Sequence, residues 1–525
     1  MNVAQILRAH TTTRPDAAAI IDVRRGRQRI LSFTGLELAS ARAAALLRQT
    51  GLRSGEAVLV FQPMSAELYS ALLAIFRLGL VAMFLDPAQG REHIEQCCTL
   101  HQPQAFIGSP KAHLLRLMSP ALRRIPHKFV IGRWVPGAVP WSRADTLEPY
   151  ADIYSCNAET PALLTFTSGS TGRAKAALRT HGFLLAQHRV LAQSLALTAG
   201  HIDLTTMPIV ALANLASGVT CLIPDVDLRY PGAIEPAPVV EQLAAHRVTS
   251  TVASPALLER LARYCLDCNI ALDGLTKIFS GGAPVMPRLL DRLQQVAPQA
   301  EVVAVYGSTE AEPMAKIARR EISPQDRQAM LAGRGLLAGK PVETIRLRIV
   351  PDRWGTAIGP YTEAEFSTLC CPPEVIGEIV VSGDHVLSGY LHGQDDEETK
   401  FRADGVIWHR TGDAGYLDGE GRLWLMGRCT ARIEDQHGRL YPFAAECALS
   451  DQANVRRSAV VSHRGRRLLA VEFEQAPDAG ELAGIKASLA WAHLAEVRVL
   501  KRIPVDKRHN AKIDYPALRR RLGWL

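Results

Sequence analysis

The sequence lacks an apolar run long enough to cross a bilayer. Its most apolar segment, S-A-L-L-A-I-F-R-L-G-L-V-A-M-F-L-D, is broken by Arg77. A spanning helix needs about 20 consecutive apolar residues, so no membrane span is expected, and the segment reads as a buried helix followed by a buried strand. The start, M-N-V-A-Q-I-L-R-A-H-T-T-T-R-P-D-A-A-A-I, has no basic region leading into an apolar core and a cleavage site, which predicts no secretory signal. The ten cysteines are scattered, and the one close pair, Cys265 and Cys268, has no second Cys or His pair at metal spacing. Two thiols on one helix in a reducing cytoplasm is the expectation, not a zinc site or a disulfide framework. There is no block of like charge either. The net charge is +8, and the arginines are spread apart from R-R-G-R-Q-R and A-L-R-R-R-L near the two ends, which reads as solvated surface rather than a nucleic-acid face. No internal repeat and no long low-complexity segment is present.

What is present is 525 residues at 47% hydrophobic, enough for large buried cores and more than one domain. E-L-A-S-A-R-A-A-A-L-L-R-Q-T-G has apolar residues at helical spacing and stops at Gly51. Strand, helix and strand patterns follow in G-E-A-V-L-V-F-Q-P, S-A-E-L-Y-S-A-L-L-A-I-F-R-L-G and L-V-A-M-F-L-D-P, which implies a parallel right-handed crossover. The pattern recurs around residues 236–265 and 275–310. The expected class is therefore α/β, with a doubly wound core and ligands beyond the C-terminal ends of its strands. From about Arg346 short strands between Gly-rich turns predict a small β-rich subdomain, and the tail after Gly427 predicts a separate small α+β unit. The expected domains are 1–427 and 428–525.

The stretch T-F-T-S-G-S-T-G-R-A-K, Thr165 to Lys175, has the look of a phosphate loop. A Walker loop places Ser or Thr after its lysine to hold magnesium, whereas Ala176 follows Lys175 here. That reading fails at its most specific position. Gly169 and Gly172 would still let backbone N–H groups turn toward an anion, with Thr167, Ser168, Ser170 and Thr171 adding hydroxyls and Lys175 adding charge. A plain surface turn is the alternative.

Further along, S-G-G-A-P places Ser280, Gly281, Gly282, Ala283 and Pro284 after one predicted strand, and Y-G-S-T-E places Tyr306, Gly307, Ser308, Thr309 and Glu310 after the next. A nucleotide fits these two strand ends: Tyr306 for the base, Thr309 for phosphate, Glu310 for Mg²⁺. Asp413 and Arg428 follow, and an acidic side chain can hold both ribose hydroxyls. Lys512, in P-V-D-K-R-H-N-A-K-I, would by itself be a solvated surface lysine. Glu312 and Lys316 fit either a surface ion pair or groups that read a polar substrate.

Taken together and in this order, these segments resemble the adenylate-forming superfamily of acyl-CoA synthetases, adenylation domains and luciferases, over essentially the whole chain. The resemblance implies a large N-terminal domain of doubly wound subdomains with a small β-rich subdomain, followed by a small mobile C-terminal domain. It implies that T-S-G-S-T-G grips the β- and γ-phosphates of ATP. Tyr306, Thr309 and Glu310 would meet adenine, the α-phosphate and Mg²⁺. Asp413 and Arg428 would hold the ribose, and Lys512 would bridge carboxylate and α-phosphate as an acyl-AMP forms.

Several positions depart from the common pattern. Ala174 stands where proline is usual, Ala211 where many acyl-CoA synthetases carry a gate beside the acyl pocket that Ser280 and Gly281 would also line, Thr430 at the hinge, and Ala511 before the lysine. With I-P-D-V-D, S-P-A-L-L-E-R-L, F-I-G-S-P-K-A-H-L and G-R-L-Y-P-F-A-A-E-C-A-L, these departures resemble the β-lactone synthetases of bacterial long-chain olefin biosynthesis. That likeness implies activation of a 3-hydroxy fatty acid, after which the substrate's own hydroxyl closes a β-lactone without coenzyme A. No catalytic Ser or Cys is then required, and Cys429 is read as a packing residue. Thioester formation with coenzyme A or a carrier protein is the alternative. A pathway condensing enzyme or carrier protein is the partner this implies. A nucleotide-binding protein without catalysis is a third reading, motivated by Ala174, Thr430 and Ala511 and opposed by Thr309, Glu310, Asp413 and Lys512.

Overall fold

The computed structural model describes all residues except 25, 87–88, 169–173, 506–512 and 524–525. By contacts the chain divides into two compact units. The first comprises Met1–Asp225, Ala245–Val252 and Gly389–Asp395; the second comprises Val226–Ala244, Ala253–Ser388 and Asp396–Leu525. This cut falls inside the span 1–427 and does not coincide with the expected boundary at 427/428.

In the first unit a seven-stranded sheet runs in the order Val139–Pro140, His127–Val130, Ala105–Gly108, Ala57–Phe61, Val81–Phe84, Pro161–Ser168, Ala174–Thr180. Its pairs are parallel except the last. The crossover read from sequence is there: Ala57–Phe61 and Val81–Phe84 are parallel neighbours joined by the helix Ala66–Arg77. Ser65 starts that helix by accepting from the Leu68 N–H at 3.3 Å. Every residue of Ala57–Phe61 is buried, as expected for a strand covered on both faces. Leu59, Met83, Phe106, Leu164 and Phe166 share one apolar cluster, and each such side chain contributes about 1.5–3 kcal/mol by leaving water. A second sheet orders Arg27–Ser32, Ala18–Arg24, Thr220–Leu222, Ile202–Thr205 and Ser250–Ala253.

In the second unit Lys277–Ser280 and Glu301–Ser308 are parallel and joined by the helix Pro287–Val296. Antiparallel strands continue the sheet through Ala311–Ala318, Leu336–Pro341, Leu423–Arg428, Val406–Leu417, Gly377–Ser382 and Arg346–Val350. Inside this β-rich part Arg410 and Glu378 form an ion pair at 2.7 Å with both side chains fully buried. Arg410 also donates to the Thr356 and Glu398 carbonyls, so the desolvated guanidinium is met on several sides. At the C-terminal end Val455–His463, Arg466–Phe473 and Glu496–Val499 form a three-stranded sheet with an apolar cluster on each face, one closed by Ile485 and Leu489, the other by Ile503 and Leu518. We propose that 428–525 is a domain of its own on the strength of these two clusters.

One buried acid gives the first unit a pH signature. Asp203, on Ile202–Thr205, is fully buried and accepts Ser250 Oγ and Asn214 Nδ2, each at 2.7 Å. Burial pushes its carboxyl up to about 6, against the two hydrogen bonds that favour the charged form. A raised folded-state pKa means that the folded chain keeps a proton that the unfolded chain releases near pH 4. The acid's contribution to stability therefore falls as pH rises toward 6. Asp203→Asn removes that titration. In urea unfolding, the variant is expected to gain about 1 kcal/mol relative to the parent between pH 5 and pH 7; a constant difference would show that Asp203 does not titrate in this window.

Candidate active site

The Thr165–Lys175 stretch does not join a strand to a helix. Pro161–Ser168 and Ala174–Thr180 are antiparallel and pair to their last described residues, Thr167 opposite Lys175 and Ser168 opposite Ala174. Gly169, Ser170, Thr171 and Gly172 lie outside the described residues, as does Lys512. Lys175 is buried at 4% exposure, where an unpaired ammonium would be costly. Its Nζ lies 3.4 Å from the Asp395 carboxylate and 5.7 Å from the Tyr390 ring centroid. The segment carrying both partners is fixed to the same hairpin by a bridge between Ala177 and Tyr390. Neither Tyr390 nor Asp395 carried a signal in the sequence, because more than 200 positions separate them from Lys175 and only the fold joins them.

Ala211 sits in the helix Pro208–Ala216 of the first unit, fully buried, and its carbonyl accepts the Cys221 thiol at 3.3 Å. Ser280 and Gly281, expected to line the same pocket, belong to the second unit. Ser280 ends the strand Lys277–Ser280 at 1% exposure, and its hydroxyl meets no hydrogen-bond partner among the described residues. A Cβ on Gly281 would stand 2.9 Å from the Val305 carbonyl, so only glycine lets these two strand ends approach so closely. Gly282 follows at φ +82°, then the half-buried Ala283 and exposed Pro284 lead toward the helix Pro287–Val296.

Tyr306 lies inside the strand Glu301–Ser308 rather than past its end. Thr309 and Glu310 form the tip of a hairpin that returns as Ala311–Ala318, with Ser308 opposite Ala311. The register shifts between Tyr306 and Ser308, at Gly307, where an added Cβ would meet Glu312 Cγ at 3.1 Å. The tip is held from two directions. The Glu310 N–H donates to Ser308 Oγ at 3.2 Å, and the Leu387 N–H donates to the Glu310 carbonyl at 2.7 Å. The Glu310 side chain is half-buried. Glu312 is half-buried and Lys316 exposed on the returning strand.

The tightest geometry is at Asp413. The antiparallel register sets Asp413 directly opposite Arg428, and Arg428 Nε lies 3.1 Å from Asp413 Oδ1. Tyr306 Oη donates to the other carboxylate oxygen at 2.7 Å. Burial and the adjacent carboxylate hold the Tyr306 phenol well above its ordinary value, so it stays a neutral donor, and the same carboxylate raises Arg428. Arg428 Nη1 donates to the Thr411 carbonyl at 3.2 Å, while Thr411 Oγ1 accepts the Asp413 N–H and donates to the Ile379 carbonyl. Thr411 was not singled out by sequence. A carboxylate fixed this way, beside a half-exposed guanidinium, can accept the hydroxyls of a sugar. Cys429, next to Arg428, is fully buried and its thiol is pushed up by burial, which suits packing and not nucleophilic attack. Among the described residues no group of three or more His, Cys, Asp or Glu is placed to hold a metal ion, and all ten cysteines are free.

Comparison with known proteins adds a second line of observation. The profile described as AMP-binding enzyme matches residues 7–391. The chain is 32% identical over 506 residues to the olefin beta-lactone synthetase of Stenotrophomonas maltophilia (strain K279a), covering 92% of this chain and 89% of that one. It is 32% identical over 509 residues, with the same coverage, to the olefin beta-lactone synthetase of Xanthomonas campestris pv. campestris. Among solved structures, the anthranilate CoA ligase AuaEII in complex with anthranoyl-AMP superposes with a TM-score of 0.82 at 18% identity, covering 100% of this chain and 97% of that one. The expected α/β fold is thereby found in a solved structure.

Calorimetric titration with AMP tests whether the Asp413 cluster meets nucleotide. Tyr306→Phe and Arg428→Ala are each expected to weaken AMP binding roughly three- to tenfold, the net worth of about one ordinary hydrogen bond, with folding retained. Unchanged affinity in both variants would place the nucleotide elsewhere.

Proposed function

This chain belongs to the AMP-binding enzyme family and is an ATP-dependent acid-adenylating ligase, and from that premise we propose that it converts a 3-hydroxy fatty acid to a β-lactone. In the first step a carboxylate oxygen attacks the α-phosphorus of ATP, and pyrophosphate leaves with the electrons of the broken P–O bond. In the second, the substrate's 3-hydroxyl oxygen attacks the carbonyl carbon, its proton is released, and AMP departs as the ring closes. An internal nucleophile already near the carbonyl has an advantage that a second substrate must supply by binding. AMP is the activated leaving group, so no protein nucleophile is needed.

The roles assigned to residues are part of this proposal. Thr167, Ser168, Gly169, Ser170, Thr171, Gly172 and Lys175 grip the triphosphate. The Lys175 ammonium, held by Asp395 and Tyr390, is the cation of that grip. Tyr306, with Gly282, Ala283, Pro284, Gly307 and Ser308, borders the nucleotide, and Thr309 meets the α-phosphate. Asp413 takes the ribose hydroxyls with Arg428 beside it. The Glu310 carboxylate, whose backbone is fixed on both sides, would hold Mg²⁺, which when bound neutralises triphosphate charge. Lys512 brings a second cation to the place where two anions must meet, since a carboxylate and a phosphate repel until both are neutralised. Ala211, Ser280 and Gly281 shape the acyl pocket.

The observation that supports the lactone step is the likeness, over nearly the full length, to two olefin beta-lactone synthetases. The thiol-dependent alternative is separated from it by product analysis. With ATP, Mg²⁺, coenzyme A and a 3-hydroxy fatty acid, mass spectrometry is expected to show an ion at substrate mass minus water, formed equally when coenzyme A is omitted. Lys512→Ala is expected to lower that product by about a hundredfold or more while ATP still binds. An acyl-CoA product would sink the lactone step, and an unaffected Lys512→Ala rate would sink that residue's assignment.

A further inference from the structure

The four most exposed large apolar side chains among the described residues all fall within one short segment of the first unit, 114–134: Leu117 at 75%, Trp134 at 65%, Leu114 at 61% and Met118 at 58%. Three of them lie on the helix Pro110–Met118 at spacings of three and four, which is one stripe of its surface. Lys111 begins the same stripe. The opposite stripe is anchored inward. His113 is buried with Nε2 2.9 Å from the Phe129 carbonyl, and Ala112 and Leu115 pack on the sheet's apolar cluster. The helix therefore has a committed inner face and an outer face that is apolar and, among the described residues, uncovered. Trp134 belongs to the loop after Val130, which lies against this helix. Arg116 donates to the Pro136 carbonyl at 3.2 Å, and a Cβ on Gly132 would touch Pro110 at 3.4 Å.

Charge says what the face fits. From Gln96 to Ala144 the chain holds seven Lys or Arg and no Asp or Glu. Lys111, Arg123, Arg124 and Arg133, in the same segment as the apolar stripe, are exposed. The carboxylate just upstream, Glu95, is occupied as a cap, accepting Ser119 Oγ and the Ala121 N–H. Lysine is depleted from protein interfaces, and a run of cations with no acidic neighbour calls for an anionic partner. A lipid surface takes both kinds of group at once, apolar side chains and tryptophan at the acyl boundary and lysine or arginine among the phosphates. No described helix is long and apolar enough to cross a membrane, so attachment through this face would be peripheral.

We propose that the outer face of Pro110–Met118, with Trp134, Arg123, Arg124 and Arg133, docks the protein on an anionic lipid bilayer. The surface stands whether or not the acid activated is a fatty acid, and its test does not use the reaction product. The full-length protein is to be sedimented with vesicles of phosphatidylcholine alone and of phosphatidylcholine mixed with phosphatidylglycerol. Binding is expected to the mixed vesicles, to weaken in high salt, and to fall at least about tenfold in Leu114→Ser/Leu117→Ser and, separately, in Arg123→Glu/Arg124→Glu. Both double variants change exposed side chains only, so their unfolding midpoints and AMP affinity are expected to match the parent. Absence of binding to either vesicle, or binding that both double variants retain, would overturn the proposal. So would a dimer in light scattering that the leucine variant dissociates, since the face would then serve a second copy of the chain.

Discussion

Asp413 shares its carboxylate between a phenol that burial keeps neutral and a guanidinium that is always charged, and much of the second unit is arranged to keep it there. The arrangement is a matter of register. Asp413 and Arg428 face each other across two antiparallel strands, and a slip of one residue in either strand would send its side chain to the opposite face of the sheet. Thr411 locks the register locally by bonding the Asp413 N–H and the neighbouring strand's Ile379 carbonyl. Tyr306 arrives from Glu301–Ser308, whose approach to the end of Lys277–Ser280 depends on Gly281 having no side chain. Deeper in the same β-rich part, the fully buried Arg410–Glu378 pair ties the strand that carries Asp413 to its neighbour.

Much of this was legible before any coordinates. Hydrophobic runs without alternation mark strands buried on both faces, and Ala57–Phe61, Val81–Phe84 and Lys277–Ser280 form where such runs occur. The small-residue segments after those runs locate Ser280–Pro284, and the family resemblance alone singled out Asp413 and Arg428. Two local structures were misplaced for a common reason. Thr165–Ser168 and Tyr306–Ser308 read from sequence as lying beyond strand ends, whereas both continue strands that pair with antiparallel neighbours. Hydroxyl and glycine residues signal a break equally well in either case, and only pairing with the returning strand distinguishes them. The Lys175–Asp395 contact was out of reach because nothing in local pattern links residues so far apart.

The exposed stripe of Pro110–Met118 shows the converse limit. Leu114, Leu117 and Met118 sit at the spacing of a buried helix face, and periodicity alone assigns them to a core. Their exposure emerges only when the neighbouring stripe, with Ala112, His113 and Leu115, is seen to face the sheet. Close to Thr430 the chain is tied to the β-rich part by charge. Arg432, two residues on, pairs with the buried Asp352 at 3.1 Å, and Tyr441 Oη donates to the same carboxylate at 2.8 Å.

Oxygen bookkeeping tests the central claim, activation through an acyl-AMP followed by closure with the substrate's own hydroxyl. A 3-hydroxy fatty acid labelled with ¹⁸O at both carboxylate oxygens, incubated with ATP and without a thiol, is predicted to give AMP carrying one labelled oxygen and a product at substrate mass minus water retaining the other. Unlabelled AMP would contradict attack of the carboxylate on the α-phosphorus, and a released acid in place of the lactone would contradict closure by the internal hydroxyl.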